Sequence, residues 1–118
     1  MAQRLEKPWQ ELTAENAKKL SGQLGVYEIC DAAGRTRKFG AAHARLLFGL
    51  RSALQDELAR LGPGHRFRVE VNTMYRTRWA ELLMVYRADH DVLPEDNVAD
   101  ARVLGRLSPG PPPGARNS

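Results

Sequence analysis

Two tripeptides, Gly25-Val26-Tyr27 and Lys38-Phe39-Gly40, flank residues 28–37 of this chain, and downstream stand Arg51 and Glu81 in otherwise apolar runs. These residue types suit chemistry on a phosphodiester. A hydroxyl beside a cation that lowers the pKa of water can take part in general base catalysis. A fixed guanidinium stabilises the charge that spreads over non-bridging oxygens in a dry site. A covered carboxylate requires a cation or a hydrogen-bond donor. Each residue also has a plainer reading. Tyr27 fits a strand aromatic that packs its ring and exposes its hydroxyl. Arg51 fits a flanking arginine whose stem covers the core while its head stays wet. Glu81 fits a solvated glutamate, or one bridged to Arg51 or Arg78.

The surrounding pattern says which elements hold these groups. Residues 1–12 read as a polar arm anchored by Trp9. Thr13 reads as an N-cap for a short helix that stops near Ser21-Gly22. Val26 to Cys30 and Thr36 to Phe39 are rich in β-formers, and the Asp31-to-Arg35 loop between them, with Gly34 free to take positive φ, predicts a hairpin. Leu47, Leu50, Leu54, Leu58 and Leu61 recur at three- and four-residue steps, which predicts a long helix over 42–61. That phase puts Arg51 beside the stripe, within reach of the sheet edge that carries Tyr27. Gly62-Pro63-Gly64 ends it. Arg66 to Val71 alternates polar and apolar residues as a half-buried strand does. A helix over 75–88 follows, and Leu82 to Tyr86 is apolar on every side, the mark of a covered helix. Pro94 breaks the chain, and 99–107 reads as one more short helix. The expected architecture is α+β: a small, mostly antiparallel three-stranded sheet, hairpin plus one strand, covered by helices. The arm and first helix take 1–23, the domain takes 24–107, and a Pro/Gly-rich tail of 108–118 is expected to be disordered or extended.

Bulk properties narrow the classes. A length of 118 residues suits one domain. Cys30 is the sole cysteine, so an internal disulfide and a thiolate zinc cluster are both excluded. No run approaches the ~18 apolar residues of a membrane span, nor is there a signal-peptide core, so no membrane partner and a cytoplasmic location are expected. Eighteen Lys and Arg against fourteen Asp and Glu leave a net charge of +4, compatible with a polyanionic partner. Arg66, Arg68, Arg76 and Arg78, interleaved with Tyr75 and Trp79, are the candidate phosphate contacts. A solvated sheet face is the alternative. Cys30 on a strand reads as a small buried hydrophobe.

The order of these features resembles the GIY-YIG nuclease domain: Gly25-Val26-Tyr27, a turn, Lys38-Phe39-Gly40, a helix with Arg51, then Glu81-Leu82-Leu83-Met84 with Pro94 and Asn97 downstream. The resemblance covers about Gly25 to Asn97. It implies a metal-dependent endonuclease acting on nucleic acid, DNA ahead of RNA. In that role Tyr27 helps to activate the attacking water, Arg51 clamps the scissile phosphate, and Glu81 holds Mg²⁺ or Mn²⁺ together with waters and substrate. The chain departs from the family in three places. Lys38 stands where the second tripeptide has tyrosine. Gln55 stands where the family often has a proton-carrying side chain one turn after the arginine. Arg51 itself lies further along than usual, with Arg45 a competitor for its role. His43 at the helix start is a substitute proton carrier, or a capping residue. These departures support a second expectation, a degenerate relative that binds nucleic acid without cutting it. A third is a protein-interaction module that docks through its Pro-rich tail in polyproline II form.

Overall fold

The computed structural model describes residues 4–43 and 48–101. Arg45, residues 102–107 of the last expected helix, and the 108–118 tail lie outside the described residues. The elements run β1 (Gln10–Glu11), α1 (Ala14–Lys18), β2 (Gly25–Cys30), β3 (Thr36–Ala42), α2 (Gly49–Leu61), β4 (Arg66–Val71), α3 (Tyr75–His90) and a 3₁₀ helix (Glu95–Asp100).

The sheet has four strands in the order β1-β4-β2-β3, with every pairing antiparallel. The class is α+β as expected, but the strand count is not three. The extra strand is β1, two polar residues recruited from the arm that pair Gln10 with Phe67 and Glu11 with Arg66. The amide of Leu12 extends the ladder to the His65 carbonyl at 2.9 Å. Its hold on the sheet is through the backbone, so no side-chain alternation announces it.

The hairpin forms because its turn is self-capped. The Asp31 carboxylate accepts from the amides of Ala33 and Arg35 at 3.0 and 2.9 Å, and Gly34 sits at φ 87°. Helix α2 starts at Gly49 rather than at 42, because β3 continues through Ala42, which pairs with Gly25. It ends at Gly62, whose amide donates to the Leu58 carbonyl at 2.8 Å. Helix α3 stops at Asp91, which takes the left-handed conformation with φ 65°. Along α3, Leu82 and Leu83 are buried but Met84, Val85 and Tyr86 are half-exposed, so the run apolar on every side is covered on one side only. A 3₁₀ helix spans Glu95–Asp100, overlapping the start of the helix expected over 99–107. The buried Asn97 pins this segment to β3.

Alternation along β2 sends its side chains to two cores. Tyr27 and Ile29 meet Leu12, Ala17, Leu50, Leu54 and Phe67 under α1 and α2. Val26 meets Leu5, Phe39, Ala80, Leu82 and Leu83 under α3 and the arm. Fully buried chains such as Leu54 and Phe67 each contribute about 1.5–3 kcal/mol of transfer free energy. Among the described residues no helix is long and apolar enough to cross a membrane.

Candidate functional site

The register of the hairpin sets Tyr27 directly opposite Gly40, so the two tripeptides meet side by side. Their glycines are demanded by packing. A Cβ at Gly40 would lie 2.2 Å from Cζ of Tyr27 and 2.3 Å from its hydroxyl. A Cβ at Gly25 would lie 2.2 Å from the Glu70 carbonyl oxygen on β4. The Tyr27 ring therefore lies across a bare strand and is 4% exposed.

What the ring reaches is Glu57 of α2. The Tyr27 hydroxyl donates to Glu57 Oε2 at 2.6 Å, and Lys38 Nζ donates to the same oxygen at 2.5 Å. Arg60 Nε donates to Glu57 Oε1 at 2.9 Å. Arg60 also bonds Asp96 at 2.9 Å, and Arg37 Nε bonds Asp96 at 3.2 Å. Glu57 faces inward because it follows Leu50 by seven residues and Leu54 by three, a core-facing position of the helix. A buried carboxylate is tolerable there because three donors surround it.

These contacts fix the protonation states. Burial, then the Glu57 charge, then the hydrogen bond to it push the Tyr27 phenol well above its ordinary pKa. Tyr27 is a proton donor at neutral pH. Burial pushes Glu57 upward, but the bonds from Lys38 and Tyr27 outweigh it and hold the carboxyl below the usual range. Asp96 is held low in the same way, with Arg60 and Arg37 overcoming burial.

Two adjoining recesses of about 510 and 270 Å³ open along β3, and Tyr27, Lys38, Ala41 and His43 line both. The larger continues past Tyr75, Arg76 and Trp79 of α3. The smaller runs over Ala53, Asp56 and Glu57 of α2. The floor is rigid at Phe39: its amide donates to Asn97 Oδ1 at 2.8 Å, and its carbonyl accepts from Asn97 Nδ2 and Trp79 Nε1, both at 2.9 Å. Of the acids in the cleft, Asp96 is partnered by two arginines and Asp100 by Asn97 Nδ2 at 2.9 Å, whereas Asp56 stands exposed on α2.

Of the residues singled out from sequence, Tyr27, Lys38, His43 and Arg76 come together in this cleft. Arg51 does not join them. Its Nε donates to the Leu20 carbonyl at 3.0 Å and its guanidinium lies 5.5 Å from the Phe48 ring centre. Because α2 begins at Gly49, Arg51 falls in its first turn, against the end of α1, and Ala53 and Glu57 take the face toward Tyr27. Glu81 sits on α3, across the sheet from Tyr27, and is ion-paired with Arg78. Arg78 in turn bonds Glu70 at 2.8 Å. Tyr27, Arg51 and Glu81 are thus held at three separate places. As placed, Glu81 brings a single carboxylate, and it shares the Arg78 guanidinium with Glu70. Among the described residues no cluster of three or more His, Cys, Asp or Glu side chains is placed to hold a metal ion.

Arg68 is turned into the α3 face of the sheet, bonded to Glu28 at 2.8 Å and stacked 4.1 Å from the Trp9 ring centre. Arg66, opposite Cys30 in register, is half-buried, and neither lines the cleft along β3. Glu57, Arg60, Arg37 and Asp96 were not singled out from sequence. A signal existed for Glu57 alone, an acid on the leucine stripe.

A family model described as "Domain of unknown function (DUF7508)" matches residues 3–89, which takes in every element from β1 to nearly the end of α3. No curated protein and no solved structure matches the chain.

Proposed function

For this chain, which belongs to the DUF7508 family of domains of unknown function, we propose the role of a GIY-YIG-like module that binds nucleic acid along β3 without cutting it. The observation that carries this reading is the commitment of both tripeptide side chains to Glu57, with the Tyr27 phenol held protonated. A hydroxyl that donates to a buried carboxylate is poorly placed to take a proton from water. The pairing of the two tripeptides on adjacent strands supports the family resemblance. The cleft supports binding: Arg76 is exposed at its rim and makes no hydrogen bond or ion pair among the described residues, and Tyr75 and Trp79 flank it. Arginine suits phosphate contact, and aromatic faces stack bases whatever their sequence.

The test is fluorescence anisotropy of labelled single-stranded and duplex DNA, with matching RNA, over a series of salt concentrations. Affinity should fall linearly on logarithmic axes as counterion release requires, and Arg76→Ala should lower the slope by about 1. No strand should be cleaved with Mg²⁺ or Mn²⁺ present. Absence of binding at low salt, or a slope unchanged by Arg76→Ala, overturns the proposal. Metal-dependent nicking that Glu81→Gln abolishes in a folded protein would instead establish the hydrolytic reading, with Glu81 as metal ligand.

A further inference from the structure

A third recess lies on the α3 face of the sheet, meeting the cleft along β3 only at Phe39. It encloses about 210 Å³, the liquid volume of roughly seven waters at ~30 Å³ each. That is below the ~300–1,000 Å³ typical of drug-sized ligands, so it has room for a small ring system. Its apolar wall is Leu5, Phe39, Leu82 and Val85. Its polar end is Glu28, a carboxylate in the central strand that is 4% exposed. Glu28 Oε1 accepts from Arg68, and Oε2 accepts from the Thr36 hydroxyl at 2.5 Å. A carboxylate oxygen has two lone pairs, so Oε2 can accept one more donor.

Tyr86 closes one side. Its ring stands edge-on to Phe39, with centres 6.0 Å apart, and lies 4.2 Å from the His90 ring. Among the described residues its hydroxyl has no hydrogen-bond partner. Burial, then the nearby Glu28 charge, raise its pKa, so it stays a phenol and a donor. The formal charges around the recess cancel, Arg68 against Glu28 and Arg4 against Asp89. A charged ligand would meet no uncompensated opposite charge. The site offers an acceptor at Glu28, a donor at Tyr86, an aromatic side and an apolar wall.

We propose that this recess binds a neutral, planar, hydrogen-bonding ring of nucleobase size, seated beside Tyr86 with a donor–acceptor edge toward Glu28. An amidine-like edge, such as the amino group and adjacent ring nitrogen of cytosine or adenine, supplies the donor that Glu28 takes and the acceptor that Tyr86 lacks. Val85, half-exposed on α3, sets the width of the recess. The same chemistry can arrive as a free base or as a base in a strand.

The test is an amide-shift titration of the full chain, by nuclear magnetic resonance, with free cytosine and free adenine as probes. Saturable shifts are expected at Glu28, Thr36 and Tyr86. Val85→Trp, which fills the space, should abolish them while thermal unfolding stays cooperative. Tyr86→Phe should weaken binding roughly fivefold, the worth of one hydrogen bond. The absence of saturable shifts with both bases, shifts that persist in Val85→Trp, or shifts centred on Tyr27 and Lys38 would each overturn the proposal. Displacement of the probe by an unlabelled DNA strand assigns the recess to a base of nucleic acid, and its retention assigns the recess to a free heterocycle. Salt-dependent binding along β3 is a separate readout, because Val85 does not line that cleft.

Discussion

Glu57 concentrates more of the site's energetics than any residue of the two tripeptides. It receives Tyr27, Lys38 and Arg60 inside the fold, and hydrogen bonds to a charged group are worth about 1.5–3 kcal/mol each. Tyr27→Phe should therefore lower stability by roughly that amount, measured by urea unfolding. Gly40→Ala should cost about 1–3 kcal/mol by overpacking, since its Cβ would enter the Tyr27 ring. In a Tyr27→Leu background that cost should shrink, because the clashing ring atoms are gone. The pH dependence has two opposite limbs. Glu57 is held below its unfolded pKa of about 4.3, so its contribution is present above that pH and is lost as pH falls through the folded value. Tyr27 is held above its unfolded pKa of about 10, so its contribution is intact below that pH and declines as pH rises past it. Urea midpoints measured against pH should show both limbs, with Glu57→Gln flattening the acid one and Tyr27→Phe the alkaline one. In sequence Glu57 is one polar residue between Asp56 and Leu58, and the partners that make it matter lie nineteen and thirty residues away.

The elements were legible wherever local chemistry decides them. The hairpin follows from Asp31 and Gly34, the end of α2 from Gly62, and α1 from Thr13, whose hydroxyl caps the Asn16 amide at 3.1 Å. They were not legible where tertiary pairing decides. The continuation of β3 to Ala42 depends on Gly25, and β1 exists only because β4 offers it an edge. That shift in the start of α2 is also why Arg51 was expected beside Tyr27 and is found beside Leu20. The 3₁₀ helix is a further case. Its Asn97 side chain replaces a neighbouring strand at the outer edge of β3, satisfying both the amide and the carbonyl of Phe39. Covering an edge in this way also removes a template for aggregation. Asn97→Ala should strand the Phe39 amide and cost about 1–3 kcal/mol. Thermal unfolding reads the loss, and hydrogen exchange should show the Phe39 amide accelerating more than its neighbours on β2. Equal acceleration across the sheet would mean that Asn97 acts on global stability alone.

The fold is a sandwich in which one sheet separates two side-chain cores, and β2 belongs to both. A strand buried along its whole length, with β3 on one side and β4 on the other, cannot lose one layer without exposing the other. The two cores should therefore unfold as a single unit, as small domains usually do. The chain carries its own reporters. Trp9, stacked on Arg68, and Trp79, packed in the second core, both lie on the α3 side of the sheet. Cys30, the only thiol in the sequence, is fully buried at the end of β2. Tryptophan fluorescence, far-ultraviolet circular dichroism and thiol labelling of Cys30 should give one common denaturant midpoint. Labelling in the absence of denaturant should proceed only through global opening, slowing as any stabilising condition is imposed. If the fluorescence transition instead precedes the loss of ellipticity, the arm and α3 detach while α1 and α2 still hold their face of the sheet. Separate melting of that kind would open both the recess beside Tyr86 and the α3 side of the cleft along β3.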